Sequence, residues 1–412
     1  MHRISKLTLK NFKFFHGEVP INFEGKNILL YGENGSGKSS IYWALYTFLQ
    51  SVFKTEPQQV VKYFAHNHPE NLRNRYANDD ESSAIVIEFN DGVKRSISND
   101  GIIIKQNADD NLVLEATLGS DLIEYRTLSR IYHFAHSEEV DLFPFFQGNL
   151  LPFISFSKVF TKHDNSAGTK NAQDFWEYIS TDINIFKNAS EDKTYEIFSS
   201  IVELFNAEFE NYLNTIAESV NEYLNDDFEQ NIKVGLRYVK AKAVEKLMPE
   251  DGKIISTESP QIILDVWLTS DKIPEGRKKI FNPQSFLNES KLTALALSIR
   301  LAILDEKFVE EYPKILVLDD FLMSMDMSNR EAVLEVILNN YLDDYQILFF
   351  THQRGLFEDA KKFIELYHAD ILRESGESNP EVLNAEWLNH WKVFEMYETE
   401  NDLKYSVLGC FF

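Results

Sequence analysis

The feature that most constrains the fold is a glycine-rich octapeptide that directly follows the apolar run NILLY at positions 27–31. Glycines let successive backbone N–H groups curl around phosphate oxygens, a lysine adds a mobile positive charge, and a serine hydroxyl can ligate Mg²⁺. The sequence therefore predicts a strand, a phosphate-binding loop and a helix, in that order, with the positive end of the helix directed at the phosphates. The octapeptide is Gly32-Glu33-Asn34-Gly35-Ser36-Gly37-Lys38-Ser39.

The rest of the composition is that of a globular chain. Its 412 residues are 44% hydrophobic, enough to bury a large core in one big domain or in two to three ordinary ones. No apolar run reaches the roughly 20 residues that a membrane helix needs, and the first residues lack the apolar core of a signal peptide. Cys410 is the single cysteine, which excludes a disulfide framework and a thiolate metal cluster. We expect a cytoplasmic protein without a membrane partner.

The net charge of −24 argues against binding of nucleic acid by the whole surface, because polyanion affinity comes largely from Lys and Arg. Any DNA contact must therefore be local. We interpret each basic cluster as part of a solvent-exposed protein surface, with DNA binding as the alternative interpretation. The clusters are Arg73 with Arg75, then Arg237, Lys240, Lys242 and Lys246, and finally Arg277, Lys278 and Lys279.

Hydrophobic periodicity predicts an α/β protein in three segments. Residues 1–135 alternate like strands around the loop and its helix, with hairpin turns near Gly92 and Gly101. Residues 136–260 contain apolar residues at three- and four-residue spacing between 171 and 228, which predicts a helical insertion. Residues 261–412 return to strands and complete the phosphate-binding core.

A second motif supports the prediction of a phosphate-binding site. The apolar run KILVL at 314–318 ends in Asp319 and Asp320, the pattern of a Walker B strand. At the C-terminal edge of a buried strand, Asp319 can hold Mg²⁺ together with Ser39, and Asp320 can orient an attacking water. A later apolar strand, 345–350, runs into Thr351 and His352, and this order favours His352 as a γ-phosphate sensor over a structural histidine.

In the order of these motifs the chain resembles the ABC-type ATPases of the RecF/SMC-like branch. The resemblance is good over residues 1–55 and 285–355, and it implies an ABC-ATPase head with a mixed β-sheet, a phosphate-loop core and a helical insertion. It also implies ATP and Mg²⁺ as cofactors, and nucleotide contacts from Ser40 and from Lys13, which ends the first strand motif. The segment Leu287-Asn288-Glu289-Ser290-Lys291 resembles the signature motif, and Ser324 to Asp326 resembles the D-loop.

In that family two heads sandwich two ATP molecules, so the resemblance implies a homodimer or higher homo-oligomer. Asn288, Ser290 and Lys291 would then contact the γ-phosphate held by the other subunit, and Asp326 would belong to the same interface. The usual glycines of the signature are absent here, and Asp320 stands where many members have glutamate, so we expect slow hydrolysis. No glutamine occurs in 128–134, where the glutamine loop should lie.

Two biological roles remain open at this stage. The first is a nucleotide-gated switch that acts as a sensor or scaffold for a separate effector protein, as in bacterial anti-phage defence. The second is a DNA-repair or recombination ATPase that contacts DNA through local basic patches. The acidic charge and the lack of a long coiled coil favour the first. The residues His133, His136, Glu138 and Glu139 match no familiar metal spacing, and a helical surface is favoured for them.

Overall fold

The computed structural model describes residues 2–54, 56–129, 131, 139–185, 193–247, 253–307, 309–397 and 407–409. The chain divides into two compact units. Unit 1 comprises Met1–Tyr125, Phe308–Met323 and Met327–Phe412, and unit 2 comprises Arg126–Lys307 with Ser324–Asp326. Within the described residues, no helix is both long and apolar enough to span a membrane.

The strands of both units are numbered together along the chain. They are β1 (Ile4–Phe12), β2 (Phe15–Asn22), β3 (Asn27–Gly32), β4 (Ala84–Phe89), β5 (Lys94–Ser98), β6 (Gly101–Ile103), β7 (Asp121–Glu124), β8 (Ile183–Ile185), β9 (Ile232–Val239), β10 (Lys242–Leu247), β11 (Lys253–Glu258), β12 (Gln261–Leu268), β13 (Lys279–Ile280), β14 (Ile315–Asp319), β15 (Gln346–Thr351), β16 (Trp391–Tyr397) and β17 (Val407–Gly409).

The α-helices are numbered in the same way. They are α1 (Lys38–Gln50), α2 (Gln58–Val61), α3 (Leu112–Gly119), α4 (Tyr125–Ser129), α5 (Phe143–Asn149), α6 (Ala172–Ser180), α7 (Thr194–Glu222), α8 (Pro283–Phe286), α9 (Glu289–Glu306), α10 (Met327–Tyr341), α11 (Arg354–Glu374), α12 (Pro380–Ala385) and α13 (Trp387–His390).

The central sheet of unit 1 carries the phosphate loop. Its strand order is β17-β16-β3-β15-β14-β7, and every pair is parallel except β16 with β17. Every residue of β3, β14 and β15 is buried, as expected for parallel strands that are covered on both faces. The prediction of an α/β fold with a mixed sheet is therefore confirmed.

An antiparallel sheet with the order β2-β1-β4-β5-β6 forms the rest of the β-structure of unit 1. Its hairpin between β4 and β5 turns at Gly92, whose φ of 74° a glycine adopts without strain. The buried side chain of Gln346 in β15 accepts from the N–H of Ile4 at 2.7 Å and donates to the carbonyl of Lys26 at 2.8 Å. These bonds fix β1 beside the central sheet.

Unit 2 is built on the long helix α7. Its buried residues recur at three- and four-residue spacing from Phe198 to Val220, which confirms the helical periodicity of this segment. The unit also contains two three-stranded sheets, β10-β11-β8 and β13-β12-β9, so the segment predicted as a helical insertion is mixed. Residues 261–307, which the sequence assigned to the C-terminal lobe, belong to unit 2.

Candidate functional site

The phosphate loop connects β3 to α1 at the C-terminal edge of the central sheet. Gly35 and Gly37 have φ values of 89° and 98°, in the left-handed region that favours glycine. A Cβ atom on Gly37 would lie 2.4 Å from Cδ1 of Phe14, so no side chain fits there. The first N–H groups of α1 have no partner within the helix, and together with the helix dipole they form an anion site.

Lys38, the first residue of α1, is held by both carboxylates of the Walker B strand. Its Nζ lies 2.9 Å from Oδ1 of Asp319 and 2.5 Å from Oδ2 of Asp320. The side chains of Lys38 and Asp319 are each 6% exposed, and that of Asp320 is 17% exposed. The structure thus brings together three residues that the sequence predicted for one site, across a separation of more than 280 positions.

Burial and ion pairing act on these groups in opposite directions. Burial lowers the pKa of Lys38, but the attraction of Asp319 and Asp320 outweighs it and the net shift is upward. Burial raises the pKa of Asp319, and the proximity of Lys38 only partly offsets this effect. Two carboxylates surround a single ammonium at this site. The lysine therefore stays charged and neutralises the carboxylates.

Asp320 and His352 meet where β14 and β15 end side by side. Asp320 has a φ of 52°, and its N–H donates to the carbonyl of Phe350 at 3.0 Å. The backbone N–H of His352 donates to Oδ1 of Asp320 at 3.0 Å, and Nδ1 of His352 lies 2.9 Å from the same oxygen without hydrogen-bond geometry. The predicted catalytic pair is therefore in direct contact.

The residues at this edge fit a magnesium nucleotide. Among the residues that the structure describes, the buried hydroxyl of Ser36 has no hydrogen-bond partner, and Nδ1 of His352 makes no hydrogen bond either. Ser39 is exposed one residue beyond Lys38 at the start of α1. Hydroxyl and carboxylate oxygens, as in Ser39 and Asp319, are the ligands that Mg²⁺ prefers. Unpartnered polar atoms beside an N–H-lined loop suit phosphate oxygens.

Four further predicted cofactor residues lie in or beside the loop. The Ser40 hydroxyl is buried and accepts from the N–H of Phe14 at 3.3 Å, so it joins α1 to the β1–β2 turn. Lys13 lies in that turn, with Nζ 5.6 Å from the ring centroid of Trp43. Asn34 is exposed at the tip of the loop. Gly32, the last residue of β3, is packed so closely that an added Cβ would lie 2.6 Å from Oγ of Ser36.

The signature and D-loop residues lie together in unit 2. Asn288 caps α9, because its Oδ1 accepts from the N–H of Lys291 at 3.0 Å. Ser290 is buried, and its hydroxyl accepts from the N–H of Asp326 at 3.4 Å. Thr293 and Ser324 share a hydrogen bond of 2.6 Å. The structure therefore links the D-loop to the first turn of the signature helix.

Two residues that support the site are absent from the sequence predictions. In α10, Arg330 donates from Nε to the carbonyl of Leu322 at 3.2 Å and from Nη2 to that of Met323 at 3.3 Å, which holds the segment after Asp320. Asn74 donates to the carbonyls of Lys13 at 2.8 Å and Phe14 at 3.0 Å and so fixes the β1–β2 turn. Neither residue belongs to a local motif that could have revealed it.

Some members of the basic clusters are engaged within the protein, whereas Arg75, Lys242, Lys246 and Arg277 are exposed. Arg73 is buried rather than on a surface patch. In unit 2, Arg237 pairs with Asp265 at 3.0 Å and with Glu139 at 3.1 Å. Further pairs join Lys240 to Glu210, Lys278 to Glu275 and Lys279 to Asp265. Exposed pairs of this kind contribute little stability, but they lower the local positive charge.

Some predictions fall partly outside the described residues. His133, His136 and Glu138 lie outside them, as does most of the segment 128–134 where a glutamine loop was sought. Among the residues that the structure describes, no group of three or more His, Cys, Asp and Glu side chains is placed to hold a metal ion.

Comparison with known proteins places these observations in a family. The profile of the RecF/RecN/SMC N terminal domain matches residues 3–373. A sequence search of curated proteins found no significant match.

Solved structures similar to this chain are distant in sequence. An Smc head domain with an extended coiled coil, bound to the C-terminal domain of ScpA and derived from Pyrococcus furiosus, is 14% identical, with a TM-score of 0.48 and coverage of 99% of this chain and 96% of that one. The recombination mediator RecF with ATP is 13% identical, with a TM-score of 0.47 and coverage of 99% and 97%. With the family profile spanning nearly all of the chain, and the phosphate loop and Walker B carboxylates assembled at one sheet edge, the chain belongs to the RecF/RecN/SMC N terminal domain family.

Proposed function

We propose that this protein is a Mg²⁺-dependent ATPase with slow turnover that acts as a nucleotide-gated dimerising switch. The observation that carries the proposal is the contact of Lys38 with Asp319 and Asp320, and of Asp320 with His352, at the end of two buried parallel strands. Ligands of parallel α/β sheets bind at this edge of the sheet.

Each residue has a distinct task in this proposal. Lys38 exchanges its two carboxylate partners for phosphate oxygens, which frees Asp319 to hold the metal together with Ser39. Asp320 orients the attacking water and accepts its proton, and His352 contacts the terminal phosphate. Mg²⁺ held by Asp319 and Ser39 would neutralise charge that develops on the phosphates. Asp320 is one methylene shorter than glutamate, so its reach to the water is shorter and turnover is slow.

The exposed start of the signature helix supports the proposed dimerisation. The N-terminus of α9 carries Lys291 and its helix dipole, both favourable to phosphate charge, which act against the negative charge of Glu289. In a second copy, Asn288, Ser290 and Lys291 would complete the site whose phosphates are held by Lys38, with Asp326 nearby. ATP then becomes part of the interface, and loss of the terminal phosphate loosens it.

For the biological role we favour a separate effector protein, in an anti-phage defence setting, over DNA. A net charge of −24 and the carboxylate partners of Arg237, Lys240 and Lys279 reduce the positive charge that could neutralise DNA phosphates. The DNA-repair alternative predicts affinity for DNA that falls steeply with salt.

The test uses Asp320→Asn, because asparagine tolerates the left-handed backbone of this position and cannot accept the proton. With ATP and Mg²⁺ this variant should bind nucleotide, hydrolyse none and elute as a dimer in size-exclusion chromatography with light scattering. The wild type with ADP should elute as a monomer. If Asp320→Asn stays monomeric with saturating ATP, the dimerising switch is wrong.

A separate experiment addresses the alternative role. Fluorescence anisotropy of labelled duplex DNA is measured at low and at physiological salt, with and without ATP. Our proposal expects no salt-dependent binding. Binding that weakens when Arg237 and Lys240 are both changed to alanine would support the repair function instead.

A further inference from the structure

One face of the sheet β13-β12-β9 in unit 2 combines an indole ring with positive charge. Side chains alternate between the two faces of a strand. The even-numbered positions 232–236, 262–266 and 280 carry Ile, Val or Leu, and all of them are buried. The odd-numbered positions form the outer face of the sheet, whose charged and aromatic members are Lys233, Arg237, Asp265, Trp267 and Lys279.

The strand register places Trp267 between two lysines. It is opposite Lys233 of β9 on one side and opposite Lys279 of β13 on the other. Residues directly opposite each other in an antiparallel sheet share a face and interact through their side chains. Nζ of Lys279 is 5.7 Å from the ring centroid of Trp267 and 5.9 Å from that of Phe281, so it lies near both rings. Phe281 directly follows β13 and is 78% exposed.

A glycine fixes the position of the indole. A Cβ atom on Gly235 would lie 3.0 Å from Cζ3 and 3.1 Å from Cη2 of Trp267, so the six-membered ring occupies the space of the missing side chain. An aromatic ring that covers a glycine of an edge strand is a recurrent device in β-sheets, and β9 is an edge strand of this sheet. Trp267 is half-buried, so part of the ring remains accessible.

Ion pairs hold the cations of the outer face without cancelling their charge. Oδ2 of Asp265 lies 3.0 Å from Nε of Arg237, and its Oδ1 lies 2.8 Å from Nζ of Lys279. Within the described part of the chain, Lys233 has no ion-pair partner. Positions 232–239 and 261–280 together with Glu139 carry six cations against four carboxylates. This region is therefore positive in a chain whose net charge is −24.

A carboxylate of the same chain already lies on this face. Oε1 of Glu139 is 3.1 Å from Nη2 of Arg237, and the Glu139 side chain is 67% exposed. An exposed pair of this kind contributes little stability, so another carboxylate can replace Glu139 at small cost. Glu139 thus shows which chemical group the guanidinium accepts. Trp, Phe and Arg are also the side chains that are enriched in protein–protein interfaces.

We propose that the outer face docks an acidic segment of a separate protein. An apolar side chain of that segment packs on Trp267, and its carboxylates pair with Lys233 and Arg237. The inference deepens the proposed function and rests on its effector role, because it states the chemistry through which the effector attaches. Gly235 and Asp265 hold the ring and the cations in place, so docking orders few side chains.

Charge favours an acidic protein segment over a nucleic acid strand as the occupant. A strand carries a phosphate at every nucleotide, and the net charge of −24 repels such a polyanion over the whole surface. A short segment with a few carboxylates experiences mainly the local positive field, because salt screens more distant charges.

The experiment measures the fluorescence anisotropy of a short labelled peptide in which glutamate alternates with leucine, added to the full-length protein without nucleotide. The comparison ligands are the same peptide with lysine in place of glutamate and a labelled oligothymidylate. The wild type should bind the glutamate peptide most tightly of the three, with an affinity that falls as the salt concentration rises.

Two variants test the contacts separately. Trp267→Ala should weaken binding of the glutamate peptide by roughly 10-fold or more, as expected for a central aromatic side chain of an interface. Lys233→Glu breaks no ion pair of the described residues and should weaken binding by roughly 3- to 10-fold at low salt, because an attraction becomes a repulsion. Lys246→Glu is the matched control, at an exposed position of β10 in the other sheet of unit 2, and should leave binding unchanged.

The inference is wrong if the wild type binds the glutamate and lysine peptides equally, or if Lys233→Glu binds as tightly as Lys246→Glu. It is also wrong if the oligothymidylate binds more tightly than the glutamate peptide, which would make the outer face a platform for single-stranded nucleic acid. These measurements contain no ATP. A failure to bind ATP in a separate titration would therefore refute the proposed ATPase and not the docking face.

Discussion

Replacement of Lys38 by methionine should destabilise the protein even before any nucleotide is added. Methionine keeps the length of the apolar stem but removes the ammonium that neutralises Asp319 and Asp320. Loss of ATP binding in this variant therefore has two causes, the missing phosphate ligand and a weakened fold. The two can be separated because the carboxylates themselves can be neutralised.

The size of the effect follows from the burial of the three groups. Lys38 and Asp319 are nearly inaccessible, whereas Asp320 retains some contact with solvent. Removal of one partner from a buried ion pair costs about 3–5 kcal/mol, because a charge is left without compensation. Adding Asp319→Asn to Lys38→Met removes the more deeply buried of the two charges, and we expect it to restore about 1–3 kcal/mol.

Urea unfolding of the nucleotide-free protein, followed by circular dichroism, measures both values. Lys240→Met is the control, because Lys240 and Glu210 form an exposed pair whose removal should cost less than about 1 kcal/mol. Calorimetry should show that the Lys38→Met/Asp319→Asn protein is folded and still fails to bind ATP. If Lys38→Met is as stable as the control, or if Asp319→Asn restores nothing, the ion pairs do not hold this site together.

The pH dependence of stability tests the role of Lys38 independently, because its expected direction is known. Burial raises the pKa of Asp319 above its ordinary value of 3.8, and loss of Lys38 removes the main opposing influence. A carboxyl whose pKa is raised in the folded state contributes stability below its unfolded pKa and loses it as the pH rises through the folded pKa. The stability deficit of Lys38→Met should therefore shrink as the pH falls towards about 4. A deficit that grows on acidification would contradict this assignment.

Two other predictions concern the loop and a histidine behind the sheet. Gly37→Ala should lower the free energy of unfolding by about 1–3 kcal/mol and abolish ATP binding, because the new methyl would collide with Phe14 and the φ of Gly37 is positive. Urea unfolding measures the change in stability. Gly148→Ala is the matched control, because a Cβ at that position meets nothing within 4 Å. Burial, reinforced by His390, lowers the pKa of His368 from 6.5 to about 4, so the neutral ring that accepts from Nε1 of Trp391 contributes stability above pH 6.5 that is lost as the pH falls towards 4. In His368→Gln, the free energy of unfolding should therefore depend less on pH between 6.5 and 4 than in the wild type. An unchanged pH dependence would show that another group titrates in this range.

The local motifs were predictable because short stretches of sequence determine them. A run of apolar residues fixes a buried strand, and Gly35 and Gly37 are required by backbone angles that other residues resist. The helix after the loop and the strand that ends at Asp319 follow from the same local rules. The contact between Lys38 and the carboxylates could be inferred only because two such motifs end at the same edge of a parallel sheet.

The rest depends on contacts between distant parts of the chain. Nothing near Gln346 in sequence indicates that its amide binds Ile4 and Lys26, and nothing near Arg330 indicates that it holds the segment after Asp320. The strands β8 to β11 of unit 2 were missed for a related reason, since they lie beside stretches of helical periodicity. Sequence patterns report local geometry, and these features are decided by register and packing.

Lys38 connects the fold to the function in a way that neither motif implies alone. Its ammonium contacts two carboxylates, so phosphate would compete with Asp319 and Asp320 for the same charge. The competition becomes favourable when a divalent cation takes over the neutralisation of the carboxylates, because Asp319 then keeps a positive partner. Nucleotide and Mg²⁺ should therefore bind with positive coupling, each raising the affinity for the other. A site arranged in this way should bind the magnesium complex of the nucleotide more tightly than phosphate without the metal.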